Sequence, residues 1–198
     1  MLQGGTAELR TPRLLLRRFV PEDLPAIYEN CWSNFEVWKW TNYRRMTCPA
    51  DVQREAGLFT DGWFAAYSRP DRYSWAIVLP ERGEAVGRVS GLRPDRRLAQ
   101  VELAYELGRG WWNRGLMTEA AGAAIGYLLR ETGCRRVFAW HADQNPASGR
   151  VMQKCGMRCT GTEPRAGVCN AGVFDKVCYE ILAEDGSSAR SALPAEKA

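Results

Sequence analysis

The sequence predicts an α/β domain in which a mixed β-sheet carries helices on its faces. Apolar runs of strand length and runs of helical periodicity follow one another in the order β, α, α, hairpin, β, α, β, α, β, β. Two of the helices begin shortly after a strand, at Leu116 and at Pro146. With 198 residues, of which 45% are hydrophobic and 25% charged, the composition is typical of one globular domain.

The N-terminal half is predicted to contribute a strand, two helices and a hairpin. Pro21 opens the first helix, because proline is tolerated in a first helical turn and the acids that follow favour the positive end of the helix dipole. Pro49 opens the second helix. An aromatic segment from Trp32 to Tyr43 lies between the two helices. Residues 1–8 are expected to be loosely held. The predicted elements are a strand at 13–19, a helix from 21 with an apolar stripe to 31, a helix at 49–67, and hairpin strands at 73–79 and 85–91.

The C-terminal half alternates strands and helices. Its longer helix is rich in alanine and glycine, which let a helix lie close on a sheet, and Gly133 is placed to end it. The polar residues 183–198 lack periodicity and are predicted to be a disordered tail. The predicted elements are strands at 100–107, 136–142, 157–162 and 173–182 and helices at 116–129 and 146–154.

Charge and cysteine usage argue against several classes of function. The net charge is +4 and the basic residues occur as isolated pairs rather than as a stripe, so no nucleic-acid partner is expected. The seven cysteines include no Cys-x-x-Cys pair and His141 is the single histidine, so no metal site is expected. Free thiols suit a reducing compartment, and no segment has the apolar length of a membrane span. We therefore expect a cytoplasmic protein without a membrane partner.

The strongest chemical signal is the strand-to-helix junction at 110–120, which reads Gly-Trp-Trp-Asn-Arg-Gly-Leu-Met-Thr-Glu-Ala. The first N–H groups of a helix have no helical partners, and with the helix dipole they form an anion site suited to phosphate. The alternative is an ordinary turn in which Thr118 begins the helix. Gly115 is followed by leucine rather than lysine, which excludes a Walker loop, and the third glycine of a dinucleotide fingerprint is missing. A second junction at 145–157 indicates that the two together hold a phosphate-bearing cofactor.

Five sequence blocks carry a family resemblance. They read Leu-x-Thr-x-Arg-Leu-x-Leu-Arg at 9–17, Val-Glu-Leu-Ala-Tyr-Glu-Leu at 101–107, Trp-Asn-Arg-Gly-x-Met-Thr-Glu-Ala at 112–120, Asn-Pro-Ala-Ser-x-Arg-Val-Met-x-Lys-x-Gly-Met at 145–157 and Asp-Lys-Val-Cys-Tyr at 175–179. Together they resemble the GCN5-related N-acetyltransferase (GNAT) superfamily and, within it, the ribosomal-protein N-terminal acetyltransferases. The resemblance implies one GNAT domain over residues 8–182, with a mixed, mostly antiparallel sheet flanked by helices.

The resemblance also implies acetyl-CoA as cofactor and an amine as acceptor. The pyrophosphate loop of the family usually reads Arg/Gln-x-x-Gly-x-Gly/Ala, and this chain departs from it at Gly110 and Asn113. Asparagine tolerates a left-handed backbone better than most residues, so the second departure weakens the motif without breaking it. The residues expected to hold the cofactor are Leu103, Ala104 and Tyr105 on the strand, Asn113, Arg114, Gly115, Leu116, Met117 and Thr118 at the first junction, and Asn145 and Ser148 at the second.

Two of these cofactor-binding residues have structural alternatives. Asn145 resembles the family asparagine that contacts the pantetheine amide, although an asparagine before proline is also typical of a helix N-cap. Ser148 matches the serine of this branch that hydrogen-bonds the sulfur, although serine is also common in a first helical turn.

Glu102 and Ser148 are the predicted catalytic residues. An α-amine has a pKa near 8 and is about a tenth neutral at pH 7, whereas a lysine amine with a pKa near 10.4 needs much stronger help from a base. Glu102 is the candidate base, acting directly or through a water, and strand alternation places it on the face of Gln100 and Glu106. Its alternative is an exposed or salt-bridged glutamate. Glu106 and Asp175 are weaker candidates.

The resemblance implies that the acceptor lies against the aromatic segment between the first two helices. Trp32, Trp38 and Trp40 are predicted to bind it, together with Tyr179, and ordinary packing is the alternative for each. His141 is expected to be structural rather than catalytic.

These observations predict an N-acetyltransferase that works by direct attack of an amine on acetyl-CoA. The expected acceptor is the N-terminal amine of a peptide or protein. A small-molecule amine, such as an aminoglycoside or a polyamine, and a non-catalytic acyl-CoA-binding module are the alternatives. The protein is expected to be a monomer or a homodimer.

Overall fold

The computed structural model describes residues 2–58 and 67–183. Its strands form one eight-stranded sheet in the order β1-β2-β3-β4-β5-β6-β8-β7. All neighbouring strands are antiparallel except β5 and β6, which are parallel. The strands are Leu9–Arg10 (β1), Leu15–Arg17 (β2), Tyr73–Leu79 (β3), Glu84–Asp95 (β4), Gln100–Leu107 (β5), Arg136–Ala142 (β6), Arg158–Cys169 (β7) and Gly172–Leu182 (β8). The α-helices are Asp23–Ile27 (α1), Phe35–Trp38 (α2), Pro49–Leu58 (α3), Leu116–Glu131 (α4) and Pro146–Lys154 (α5).

The helices cover both faces of the sheet, and each face has its own buried core. On one face α4 and α5 pack on the central strands, around residues such as Trp75, Val101 and Leu128. On the other face α1 to α3 pack around residues such as Phe19 and Trp32. Because side chains alternate along a strand, β5 sends its odd-numbered apolar residues into the first core and its glutamates toward the second face.

The predicted fold class is confirmed, and four elements match to the residue. Strands 73–79, 100–107 and 136–142 and helix 146–154 have the bounds that the sequence indicates. The first predicted strand is shorter, since only Leu15–Arg17 is paired, and Leu9–Arg10 adds a strand that the pattern does not show. Residues 59–66 of the predicted second helix, and residues 184–198 of the predicted tail, lie outside the described residues.

The expectation that residues 1–8 are loosely held is wrong for residues 2–8. Leu2 is buried in the first core. The indole N–H of Trp75 donates to the carbonyl of Ala7 at 2.6 Å, and the Tyr127 hydroxyl donates to the carbonyl of Gly5 at 3.1 Å. These contacts come from distant parts of the chain, so local periodicity carries no signal of them.

The hairpin of β7 and β8 reaches across the sheet to the aromatic segment. The N–H of Asn170 donates to the carbonyl of Thr41 at 2.8 Å, and the N–H of Ala171 donates to the carbonyl of Lys39 at 2.9 Å. The side-chain amide of Asn170 donates to the carbonyl of Tyr43 at 3.1 Å. The tip of the hairpin therefore fixes segment 38–43, which forms one wall of the cleft described next.

Candidate active site

The site begins where β5 and β6 separate. The two parallel strands pair only between Gln100–Glu102 and Arg136–Phe138, although β5 continues to Leu107 and β6 to Ala142. A cleft of about 440 Å³ opens beyond that point. All predicted cofactor-binding residues except Arg114 line it, so the structure brings the two junctions and the strand into one site.

The first junction presents backbone donors to this cleft. Asn113 and Gly115 have φ angles of 61° and 76°, which turn the chain sharply into α4. The N–H of Glu119 is the first to bond within the helix, to the carbonyl of Gly115. The N–H groups of 116–118 therefore have no helical partner and lie at the positive end of a 16-residue helix. This geometry suits a phosphate group.

Side chains from the segment between β1 and β2 hold that junction in place. The Arg13 guanidinium donates to the carbonyl of Arg114 at 2.9 Å and to a carboxylate oxygen of Glu119 at 2.7 Å. Glu119 also accepts from the Thr11 hydroxyl at 2.6 Å. Partial burial works against ionisation, but the hydrogen bonds from Thr11 and Arg13 prevail and lower the pKa of Glu119. Glu119 is thus a structural residue that fixes the loop to the sheet.

The second junction places Asn145 and Ser148 opposite β5. Asn145 is the N-cap of α5 and Pro146 follows it, but the Asn145 side chain makes no capping bond. Its amide therefore remains available to a ligand. The Tyr105 hydroxyl donates to the carbonyl of Ser148 at 2.8 Å and lies 3.0 Å from the Ser148 hydroxyl.

The contact between Tyr105 and Ser148 joins β5 to α5, and the position of Tyr105 on its strand does not predict it. Burial raises the pKa of Tyr105, so this hydroxyl stays protonated.

Glu102 lines the cleft and is already hydrogen-bonded within the protein. One oxygen accepts from the Trp140 indole at 3.0 Å and the other lies 2.5 Å from the Arg93 guanidinium. Its side chain is 7% exposed. The salt-bridged alternative therefore describes its environment, while each oxygen keeps one further acceptor position among the contacts of the described residues.

Of the four aromatic side chains predicted to bind the acceptor, only Trp40 lines the cleft. Trp32 is buried behind the wall and bonds to Glu106. Trp38 donates its indole N–H to the carbonyl of Tyr43, and Tyr179 accepts from Gln153. None of these three side chains is among those that line the cleft.

Sequence reasoning did not single out several residues that line the cleft. Trp140 and Phe174 stack with ring centroids 5.6 Å apart at its far wall, and Trp112, predicted only as part of the first junction, lines the cleft as well. Only the splay of β5 and β6 exposes Trp140, so no local pattern could have identified it.

His141 also lines the cleft. Its Nδ1 lies 2.7 Å from the carbonyl of Ala142, so this nitrogen carries the proton and donates it. Its Nε2 fits against Gly149, where a Cβ atom would lie 2.5 Å from it. This packing agrees with a structural role.

The comparisons with known proteins agree with this geometry. Residues 13–158 match the family described as the acetyltransferase (GNAT) domain. This chain belongs to that family. It is 25% identical to the uncharacterized N-acetyltransferase YoaA of Bacillus subtilis over 174 residues, which are 88% of this chain and 96% of YoaA. It is 24% identical to the [ribosomal protein uS5]-alanine N-acetyltransferase of Escherichia coli over 139 residues, 64% of this chain and 72% of that protein.

A solved GNAT structure with the same fold contains coenzyme A. It is the ribosomal L7/L12 alpha-N-protein acetyltransferase RimL, with a TM-score of 0.73 and 17% identity over 89% of this chain and 98% of RimL. As a member of the GNAT family, the protein described here is an acetyl-CoA-dependent N-acetyltransferase. No helix among the described residues is both long and apolar enough to cross a membrane.

The cleft fits coenzyme A on its own features. Free N–H groups at the start of α4 suit the diphosphate, and the uncapped Asn145 amide suits the amides of the pantetheine arm. The part of β5 beyond Glu102 makes no pairing with β6 and so leaves a slot for an extended chain.

Proposed function

We propose that the protein acetylates the N-terminal α-amine of a peptide or protein by direct attack. The state of the carboxylates in the cleft carries this proposal. Glu102 and Glu106 already accept bonds from Arg, Trp or Tyr donors, so both carboxylates are engaged within the protein before an amine binds. An α-amine, about a tenth neutral at pH 7, needs the least help from such groups.

The names of two similar proteins support the same acceptor class. One relative acts on an alanine of ribosomal protein uS5, and RimL is named an alpha-N-protein acetyltransferase. This chain is 24% and 17% identical to these two proteins, and extending their acceptor class to it is part of the proposal.

The residues divide between holding the cofactor and handling the amine. The N–H groups of Leu116–Thr118 would hold the diphosphate, and the Asn145 amide would bind the pantetheine arm. Backbone N–H groups of Leu103–Tyr105 would hydrogen-bond the carbonyl oxygen at which negative charge develops. Acetyl-CoA supplies the activated acetyl group as a thioester.

Protons are handled by the two predicted catalytic residues. Glu102 accepts a proton from the amine through a water, using one of its remaining acceptor positions. The Ser148 hydroxyl donates to the sulfur, while the Tyr105 hydroxyl, which stays protonated, donates to the backbone carbonyl of Ser148 and so holds the first turn of α5 against β5. A thiol with a pKa near 8.5 is a fair leaving group, so a hydrogen bond of this kind is sufficient help.

Thiol release from acetyl-CoA with four acceptors tests the proposal. The acceptors are a set of lysine-free peptides with free N-termini, the same peptides with blocked N-termini and one added lysine, a polyamine and an aminoglycoside. We expect turnover with the first and little with the second. Failure of every free N-terminal peptide, with turnover of the polyamine or the aminoglycoside, would show that the small-molecule alternative is correct.

The cytoplasmic location, the monomeric or homodimeric state and the lack of a nucleic-acid partner stay predictions.

A further inference from the structure

A second carboxylate lines the cleft at the end where segment 38–43 forms the wall. Glu106 lies four residues beyond Glu102 on the same face of β5, and its side chain is 8% exposed. Removing a carboxylate from water is costly unless other groups bind it. Here three donors bind it, and they come from three separate parts of the fold.

The three donors leave one position on Glu106 open. Oε1 accepts from the Trp32 indole at 2.8 Å and lies 2.8 Å from the Arg88 guanidinium. Oε2 accepts from the Tyr43 hydroxyl at 2.8 Å. A carboxylate oxygen has two acceptor positions, so among the contacts of the described residues Oε2 retains one.

The donors also hold the carboxylate rigidly. Trp32 ends the π-helical segment Tyr28–Trp32 that follows α1, Tyr43 follows α2, and Arg88 lies on β4. Burial and the charge of Glu106 raise the pKa of Tyr43 well above its usual value, so the hydroxyl remains a donor. A fixed acceptor of this kind can orient a ligand as well as bind it.

We propose that Glu106 Oε2 accepts a hydrogen bond from an N–H of the acceptor amine and thereby orients its nitrogen for attack. A neutral primary amine has two N–H donors and one lone pair, so anchoring one N–H constrains the direction of the lone pair. Arg88 already balances the charge of Glu106, so the arrangement suits a neutral amine. Trp32, Tyr43 and Arg88 are positioning residues in this arrangement.

The inference rests on the proposed function only in requiring an amine acceptor. It applies equally to a peptide α-amine and to a small amine, because it concerns the nitrogen rather than the remainder of the acceptor. The test is therefore made with whichever amine supports turnover in the acceptor comparison, and failure of the peptide proposal leaves it intact.

The test variant is Glu106→Gln, which keeps the size of the side chain. Its matched control is Glu84→Gln, the same change at a residue near the turn between β3 and β4. We expect Glu106→Gln to raise the KM of the amine about tenfold or more, the loss expected for a hydrogen bond to a charged group. The KM of acetyl-CoA should stay within about twofold, and Glu84→Gln should match the parent protein.

Binding provides a second readout that does not depend on turnover. Calorimetric titration of the amine into the protein saturated with coenzyme A should show the same weakening for Glu106→Gln. Tyr43→Phe should weaken the same parameter by a smaller factor, since it removes only a positioning contact. If Glu106→Gln does not fold, as judged by circular dichroism and denaturant unfolding, Tyr43→Phe and Trp32→Phe serve as the test variants.

Unchanged amine affinity in folded Glu106→Gln would overturn the inference, as would an equal loss of affinity for acetyl-CoA. If only the fallback variants fold, unchanged amine affinity in both of them would overturn it.

Discussion

At the scale of single residues, the junction before α4 depends on backbone conformation. Asn113 has a φ of 61°, the left-handed region in which asparagine is better tolerated than other side-chain-bearing residues. The family places glycine there, and the structure shows why asparagine can replace it. A β-branched residue would strain the loop by about 1–2 kcal/mol.

The effect of a substitution at Asn113 on cofactor binding is therefore expected to depend on how readily the new residue adopts a positive φ. Asn113→Gly should bind coenzyme A within about twofold of the parent protein, because glycine adopts positive φ without strain. Asn113→Val should weaken binding about tenfold, as a strain of 1–2 kcal/mol implies. Calorimetric titration of coenzyme A checks both. Equal affinity for the valine variant would show that the backbone conformation is not needed for binding.

Gly149 is required for a different reason, which is the close approach of His141. A Cβ atom at this position would lie 2.5 Å from the imidazole Nε2, and His141 is buried. Gly149→Ala is expected to lower the free energy of unfolding by about 1–3 kcal/mol through overpacking. Denaturant unfolding measures it. Gly122→Ala is the matched control, because nothing lies within 4 Å of its added Cβ on α4. That change should be neutral or stabilise by up to about 1 kcal/mol, and an equal loss in both variants would contradict the steric explanation.

At the scale of elements, α4 is held to the N-terminal strands through Glu119. Its carboxylate accepts from the hydroxyl of Thr11 and from the backbone N–H and guanidinium of Arg13. Glu119→Gln should lower the free energy of unfolding at pH 7 by about 1–3 kcal/mol, because several of these bonds involve the charged group.

The pH dependence of that loss follows from the lowered pKa of Glu119. The folded value lies below the ordinary value of 4.5, so the stabilisation is fully present above pH 4.5 and is lost as the pH falls through the folded value. The stability difference between the parent protein and Glu119→Gln should therefore be constant near neutral pH and shrink in acid. A difference that grows as the pH falls would contradict the assignment.

A second link between elements is the contact of the β7–β8 hairpin with segment 38–43. Asn170 donates from its backbone and its side chain to this segment, whose inner side carries Trp40 into the cleft. Asn170→Ala should raise the KM of the amine several-fold and leave the affinity for coenzyme A unchanged, because the cofactor half of the cleft lies elsewhere. Val168→Ala, a change at an exposed residue of the same hairpin, is the control. A loss of coenzyme A affinity in Asn170→Ala would contradict the assignment of segment 38–43 to amine binding alone.

At the scale of the whole molecule, the proposed cofactor and acceptor sites share one cleft, which favours direct transfer. Cys155 lies near the start of α4, with its thiol 3.4 Å from the carbonyl of Thr118. Burial raises the pKa of Cys155 to about 12, so the thiol is not a nucleophile near neutral pH.

Initial rates measured at several fixed amine concentrations should therefore give intersecting rather than parallel double-reciprocal lines. Cys155→Ser should retain turnover. Parallel lines, or an acetylated protein isolated without amine, would show a covalent intermediate instead.

The sequence by itself determined the fold class, the family and the two junctions. Strand and helix periods are local properties. The residue types at 110–120 and 145–157 indicate two strand-to-helix junctions, and such junctions suit a phosphate-bearing cofactor. For the same reason the bounds of β5, β6 and α5 could be read from the chain. Glu102 was predicted as the candidate base and lines the cleft, but its partners Arg93 and Trp140 were not predicted.

Tertiary structure alone decided which side chains meet. Residues 2–8 are packed through contacts with strands and helices far along the chain, and three of the four predicted acceptor-binding aromatics do not line the cleft. The Glu106 cluster joins residues 32, 43, 88 and 106, whose separation in sequence gives no pattern. Such contacts depend on strand order and on the divergence of β5 from β6. The physical reason is that a local pattern fixes the direction of a side chain relative to its own element, whereas its neighbours depend on how the elements pack.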